Sequence, residues 1–301
     1  MSEVIIRNPL INELPALRNT WKNIFGSIGE ESFFSHYYDP QLCMIAAIDN
    51  IPAAVGYLIP FGNLLYNGES IPCAMIYSIA TLPDYRNMGL GSSVVRELIR
   101  LGCDTGYPVS VLCPLEDSLF NYYSKRTGFH DWFYINERII KVEDIKNNSA
   151  LQNDLIMTQV IEISIEEYIS IRENLLIGTT HIKHDINALK YQSLLCKELG
   201  GGFYKIGNCC AVIECQTNGV VWVKELLTSE IIKDDFDNHR TENIVISSIK
   251  RAFPADEYII RTPVKVNQGR RFGMIAYSED IKNMLNNTDS PAAPWYGMAF
   301  D

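Results

Sequence analysis

A chain of 301 residues exceeds the roughly 250 at which a single core stops growing, so two domains are expected. With 47% apolar and 21% charged residues the composition is that of a folded globular protein, and no run reaches the roughly 18 uninterrupted apolar residues of a membrane span. A formal charge of −10 excludes a general nucleic-acid binder, which needs a basic face to displace counterions, and suits an amine substrate. The opening "MSEVIIRNPLINELPAL" lacks a basic region followed by an apolar stretch, so a cytoplasmic location is expected. Eight cysteines lie mostly singly inside apolar runs and read as buried thiols; Cys209, Cys210 and Cys215 cluster, but without a C-x-x-C pair or a neighbouring histidine, so no metal is expected.

In chain order, "CMIAAIDNIPAAVGYLIPF" (43–61) predicts a hairpin, "AMIYSIATL" (74–82) a buried strand, "GSSVVRELIRLGCDTG" (91–106) a helix and "PVSVLCP" (108–114) a second strand, a βαβ unit. "YYSKRTGF", ending at Phe129, closes it. The same order returns after the polar stretch "DIKNNSALQND" (144–154), which reads as a linker: a hairpin in "GGFYKIGNCCAVIEC", a strand in "GVVWVKELL", a helix in "ENIVISSIKRAF", a strand in "EYIIRTPV" and a closing "QGRRFGM". Two similar α/β domains follow, 1–145 and 155–301. "HIKHD" (181–185) has an H-x-x-x-D spacing and is read as a polar helix face, and Cys113, at the end of an apolar strand with no adjacent histidine, as a structural thiol.

The halves differ in one loop. Arg86, Asn87, Met88, Gly89, Leu90, Gly91 and Ser92 join strand to helix, so free N–H groups of the loop and the first helical turn can converge on an anion, with Arg86 and the helix dipole adding positive potential. Glycines at 89 and 91 let a diphosphate approach the backbone. The matching second-half stretch "IIKDDFDNHRTEN" has no glycine and four acidic side chains, so one half alone is expected to bind phosphate. The loop is neither a P-loop nor a dinucleotide fingerprint, whose third glycine is replaced by Val94.

Taken together, "YSIATLPDYRNMGLGSSVV", the strand after the helix and "NYYSKRTGF" resemble the GNAT superfamily of N-acetyltransferases over roughly residues 1–140, with the rest a degenerate second GNAT-like domain that has lost the pyrophosphate loop. The resemblance implies a tandem α/β (α+β) fold of mixed sheets flanked by helices, and acetyl-CoA as cosubstrate. It implies that Arg86 through Ser92 cradle the pyrophosphate and that Ile79, Ala80 and Thr81 offer free backbone groups to the pantetheine arm. It also implies a tyrosine near the departing thiolate: Tyr123 stands one residue further from Gly128 than the family's Y-x-x-x-G-F region has it, Ser124 occupies that spacing, and Tyr122 competes for the role. Ser118 matches a cofactor-binding serine of some two-domain members, or else caps a helix.

Transfer to an amine needs a base, a donor for the carbonyl oxygen and a proton for the thiolate. "AMIYSIAT" offers only Tyr77 and Ser78, and no carboxylate. The aromatic stretch "PAAPWYGMAFD" reads as a docked segment, and the resemblance to mycobacterial enhanced-intracellular-survival acetyltransferases and N-myristoyltransferases makes Asp301 a candidate base, set against simple packing. The expected function is direct acetyl transfer from acetyl-CoA to a primary amine in a bacterial-type enzyme; a non-catalytic acyl-CoA-binding regulator and an acyltransferase for longer chains are the alternatives. Acceptor identity and oligomeric state stay open.

Overall fold

The computed structural model describes residues 3–141, 158–216, 218–229, 240–266, 268–285 and 292–300. The expected linker, 144–154, the expected base Asp301 and residues 231–239 of the phosphate-loop counterpart lie outside them. The chain forms two compact units: one holds the residues up to Trp132 and the segment 272–285, the other runs from Phe133 to Arg271 and includes 292–300.

The first unit opens with β1 (Val4–Arg7), α1 (Leu14–Phe25) and α2 (Glu30–His36). Next come β2 (Cys43–Ile48), β3 (Ile51–Tyr66), β4 (Glu69–Thr81), α3 (Leu90–Asp104), β5 (Val109–Leu112) and α4 (Asp117–Thr127). The second contains β6 (His130–Lys141) from Phe133 on, β7 (Val160–Glu162), α5 (Ile165–Leu175), β8 (His181–His184), α6 (Ile186–Glu198), β9 (Gly202–Ile206), β10 (Cys209–Cys215), β11 (Val220–Leu227), α7 (Arg240–Ala252) and β12 (Glu257–Thr262). β13 (Arg270–Tyr277), from Phe272 on, and α8 (Glu279–Lys282) return to the first unit.

The sheets repeat strand for strand. In the first the order is β1-β2-β3-β4-β5-β13, antiparallel throughout except for the parallel pair β4–β5. In the second it is β7-β9-β10-β11-β12-β6, again antiparallel except for β11–β12. Each parallel pair is bridged by a helix, as a crossover requires. The final strand of each sheet comes from the other half of the chain.

Both units are layered. In the first, α3 places Leu90, Val94, Val95 and Leu98 on one stripe at helical spacing, and with Phe120 and Tyr123 of α4 this stripe covers Met44, Ala46, Leu58 and Ile76 of the sheet. On the opposite face, Trp21 of α1 and Phe33 of α2 stack on each other with centroids 4.7 Å apart and contact Tyr57 and Tyr77 of the sheet. In the second unit Val245, Ile246 and Ile249 of α7 pack on Ala211, Ile213, Val223 and Ile260. "HIKHD" is corrected: His181–His184 form a strand with His181, Ile182 and His184 buried and Lys183 exposed, and Asp185 caps α6 by accepting from the Asn187 N–H at 2.7 Å.

Leu98 is fully buried at the centre of the α3 contact. Leu98→Ala is expected to destabilise the first unit by about 2–5 kcal/mol through lost transfer energy and a residual cavity, read as a lower urea midpoint at unchanged slope.

Candidate functional site

β4 and β5 pair in parallel for only three residue pairs, Cys73–Val109, Ala74–Ser110 and Met75–Val111. β4 continues to Thr81, held on its other edge by β3 through Val55–Ala80 and Ala54–Thr81. A cleft therefore opens between β4 and β5, with the β5-facing edge of Ile76–Thr81 as one wall. The register to β3 shifts between Val55 and Tyr57, and Ser78 sits there at φ +48°, a left-handed residue in a bulge that turns the strand.

Strand alternation assigns the free donors. The Leu82 N–H bonds the Ala53 carbonyl of β3 at 2.9 Å, so the Ala80 N–H, two residues back, also faces β3. The Ile79 and Thr81 N–H groups then face the cleft. Of the three strand positions Ile79, Ala80 and Thr81, the first and last turn their N–H groups to the cleft and Ala80 turns its own to β3.

At the strand's end a short turn, Pro83–Tyr85, leads into the glycine loop. Asn87 at φ +66° and Gly89 at φ +77° put left-handed residues into the loop, the backbone alternation that gathers N–H groups into an anion nest. The first backbone bond at the start of α3 runs from the Ser93 N–H to the Gly89 carbonyl at 3.1 Å, leaving the N–H groups ahead of it without a helical partner. The Ser92 hydroxyl donates to the same carbonyl at 2.8 Å. Arg86 is exposed at the loop's margin, its Nε–H donating to the Thr81 carbonyl at 3.4 Å. Leu90 turns its side chain into the core and Met88 points outward at 56% exposure, so both serve the loop through their backbone.

The two glycines have separate reasons. Gly89 supplies the positive φ and its side-chain direction is open, with only the Ser92 hydroxyl oxygen near, at 3.9 Å. At Gly91, a Cβ would lie 3.3 Å from Thr81 Oγ1 and 3.4 Å from the Tyr122 hydroxyl. Its missing side chain makes room for those two protein groups.

Tyr122 and Tyr123 are thereby told apart. Tyr122 is half-buried with its hydroxyl beside Gly91 and Thr81, at the head of the cleft, and the Arg126 guanidinium lies 5.4 Å from its ring centroid. Tyr123 packs into the α3–α4 core at 7% exposure, and burial raises its phenol well above the usual 10. Ser118 is exposed in the first turn of α4 with its hydroxyl 3.4 Å from a Glu116 carboxylate oxygen; Glu116 holds the cap position. The Cys113 thiol donates to the Phe272 carbonyl at 3.1 Å. Among the described residues no group of three or more histidine, cysteine or acidic side chains is arranged to hold a metal ion, and no helix is long and apolar enough to cross a membrane.

Residues 6–129 match the family model described as the acetyltransferase (GNAT) domain. Among solved structures, a GCN5-related N-acetyltransferase from Anabaena variabilis is similar at TM-score 0.65 and 14% identity, covering 91% of this chain and 73% of its own. A putative acetyltransferase from Pyrococcus horikoshii is similar at TM-score 0.56 and 15% identity over 98% and 94%, and a tandem GNAT protein from the clavulanic acid biosynthesis pathway at 0.56 and 9% over 91% and 98%. No curated protein matches the sequence. The likenesses share a fold that spans both units.

The placement of Tyr123 makes a stability test. Tyr123→Ala is expected to cost about 3–5 kcal/mol, as for other large aromatic truncations in cores. Tyr123→Phe, which keeps the ring, is expected to stay within about 1 kcal/mol, both measured by urea unfolding.

Proposed function

We propose that this chain, whose residues 6–129 match the acetyltransferase (GNAT) domain, is a GNAT enzyme that transfers an acetyl group from acetyl-CoA to a primary amine by direct attack. The observation that carries the reading is the meeting of the β4–β5 cleft with the glycine loop, which puts N–H donors for an extended amide chain beside N–H donors for an anion. The N–H groups from Gly89 to Ser92 hold the diphosphate, with Arg86 at the loop's margin adding positive charge. The edge of β4 acts as an open strand for the pantetheine amides, so the ligand completes pairing that β5 leaves unmade. Bound acetyl-CoA supplies the activated acyl group.

Residue roles follow from position. The Ile79 N–H, deeper in the cleft than Thr81, stabilises the carbonyl oxygen as the amine nitrogen attacks and negative charge builds. When the carbon–sulfur bond breaks, the Tyr122 hydroxyl gives its proton to the thiolate. Asp301 takes the proton that the amine loses. Tyr123 shapes the helix that carries Tyr122, and Ser118 lies at the start of that helix as a further contact for the cosubstrate.

The first test is thermal unfolding with and without acetyl-CoA. At 100 times the dissociation constant the wild type is expected to gain about 2.7 kcal/mol, a rise of a few degrees, and Gly89→Asp, which places bulk and negative charge in the nest, to lose it while remaining folded. No shift in the wild type would remove the basis of the reading. In assays of thiol release with an amine panel, Tyr122→Phe and Asp301→Asn are each expected to lower kcat by about 10²-fold or more while keeping the thermal shift. Tyr123→Phe is expected to keep kcat, and the reverse result would move the proton donor to Tyr123.

A further inference from the structure

In the second unit a layer of charged side chains lies buried under a stretch of extended chain. Arg172 of α5, 1% exposed, donates from Nε to Glu225 of β11 at 2.8 Å, and from Nη1 to Glu173 at 2.9 Å and to the Ile182 carbonyl at 3.0 Å. Its Nη2 and the second carboxylate oxygen of Glu225, which is fully buried, have no hydrogen-bond partner among the described residues. His184 of β8, 7% exposed, stands beside them.

The 292–300 segment covers this group. It is stitched down by the Trp295 N–H to the Thr180 carbonyl at 2.9 Å, the Ile182 N–H to the Trp295 carbonyl at 3.0 Å and the Ala293 N–H to the Val264 carbonyl at 2.9 Å. Phe300 ends it against Tyr191 of α6, with ring centroids 5.0 Å apart. At Gly297, φ +80°, a Cβ would lie 2.5 Å from His184 Nε2, 2.7 Å from Arg172 Nη2 and 2.9 Å from Glu225 Oε2. Three polar atoms thus converge on the one residue of the segment that has no side chain.

Trp295, Tyr296, Met298 and Phe300 of the segment are buried, an apolar hold that does not change with pH. The buried charged layer under Gly297 adds a conditional one, because lifting the segment returns Arg172 and Glu225 to water and recovers part of their desolvation cost. We propose that residues 292–300 form a releasable strap over a polar groove, latched at Gly297 by Arg172, Glu225 and neutral His184, and that protonation of His184 opens it.

Burial, with Arg172 and then His181 adding to it, pushes His184 well below the ordinary 6.5 of histidine. The charged groups that bear on it are Arg172 from α5 and His181 on its own strand, with Glu225 from β11 converging on the same point at Gly297; Tyr168 and Glu173 from α5 and Cys210 from β10 surround the Arg172–Glu225 pair. His181 presents Nε2 to Glu173 at 3.1 Å and Nδ1 to the Thr179 carbonyl at 2.9 Å. The sign follows from linkage: the latched state binds the proton less well than the open state, so latching is intact above about pH 6.5 and weakens as pH falls below it, by about tenfold per pH unit for one proton.

Hydrogen exchange of the 292–300 peptide between pH 7.5 and 5.0, corrected for intrinsic rates, tests this. The wild type is expected to show an opening equilibrium that rises about tenfold per unit below pH 6.5, while the β4 peptide 69–81 stays protected. His184→Gln is expected to flatten the profile, His181→Gln to preserve it, and Gly297→Ala to leave the strap unprotected at every pH. A flat wild-type profile, a His184→Gln profile as steep as the wild type, or one abolished by His181→Gln would overturn the proposal. Should Gly297→Ala unfold the second unit, the wild-type and His184→Gln profiles decide the matter.

Discussion

Parallel pairing between β4 and β5 stops at Met75 and Val111, and the candidate site depends on that stop. An unpaired strand edge is costly when buried and a liability when exposed, so it persists here because β3 holds the other edge through to Thr81. The bulge at Ser78 turns the strand away from β5 without releasing it from β3. Because α3 begins just past the end of the same strand, its unpaired N–H groups lie at the head of the cleft. Strand edge and helix end are therefore two consequences of one local departure from regular pairing.

The glycine loop shows how one pattern can hide two constraints. Read along the chain, Gly89 and Gly91 look like paired concessions to a phosphate. In space, Gly89 is a backbone requirement, because a β-carbon is strained at φ +77°, whereas Gly91 is a packing requirement set by Thr81 and Tyr122. The second links the loop to α4: the close approach at Gly91 sets the Tyr122 hydroxyl beside the start of α3.

Much of the fold was legible because the element order recurs and each strand and helix carries its own periodicity. The exchange of final strands was not, since "RRFGMIAY" and "YINERIIK" read as strands equally well beside either sheet, and nothing local selects the neighbour. "HIKHD" misled because four residues are too few to separate a strand from a helical turn, and the His–Asp spacing drew attention from the turn of polarity at Lys183. Which of Tyr122 and Tyr123 packs in the core was decidable in principle. Phe120, Tyr123 and Thr127 form the buried stripe of α4 at spacings of three and four, and that leaves Tyr122 off the core.

The two units keep one frame and fill it differently. In each, a bulge on the fourth strand of the sheet makes helix-facing residues recur at a spacing of three: Ile76 and Ile79 toward α3, Val223 and Leu226 toward α7. The residues between them are Tyr77 and Ser78 in the first unit, Lys224 and Glu225 in the second. Tyr77 joins an aromatic layer with Trp21 and Phe33, whereas Lys224 pairs with Glu214 at 3.3 Å and Glu225 with Arg172. Apolar contacts beneath α3 and α7 stabilise both frames alike, so the opposite face is free to vary. Ion pairs there return little net stability for their desolvation, but they tolerate water far better than aromatic rings do. The buried ion pairs among the rings of the second unit, where Tyr168 stacks on Phe203, therefore give that face a part that can take up water, which the aromatic layer of the first unit does not have.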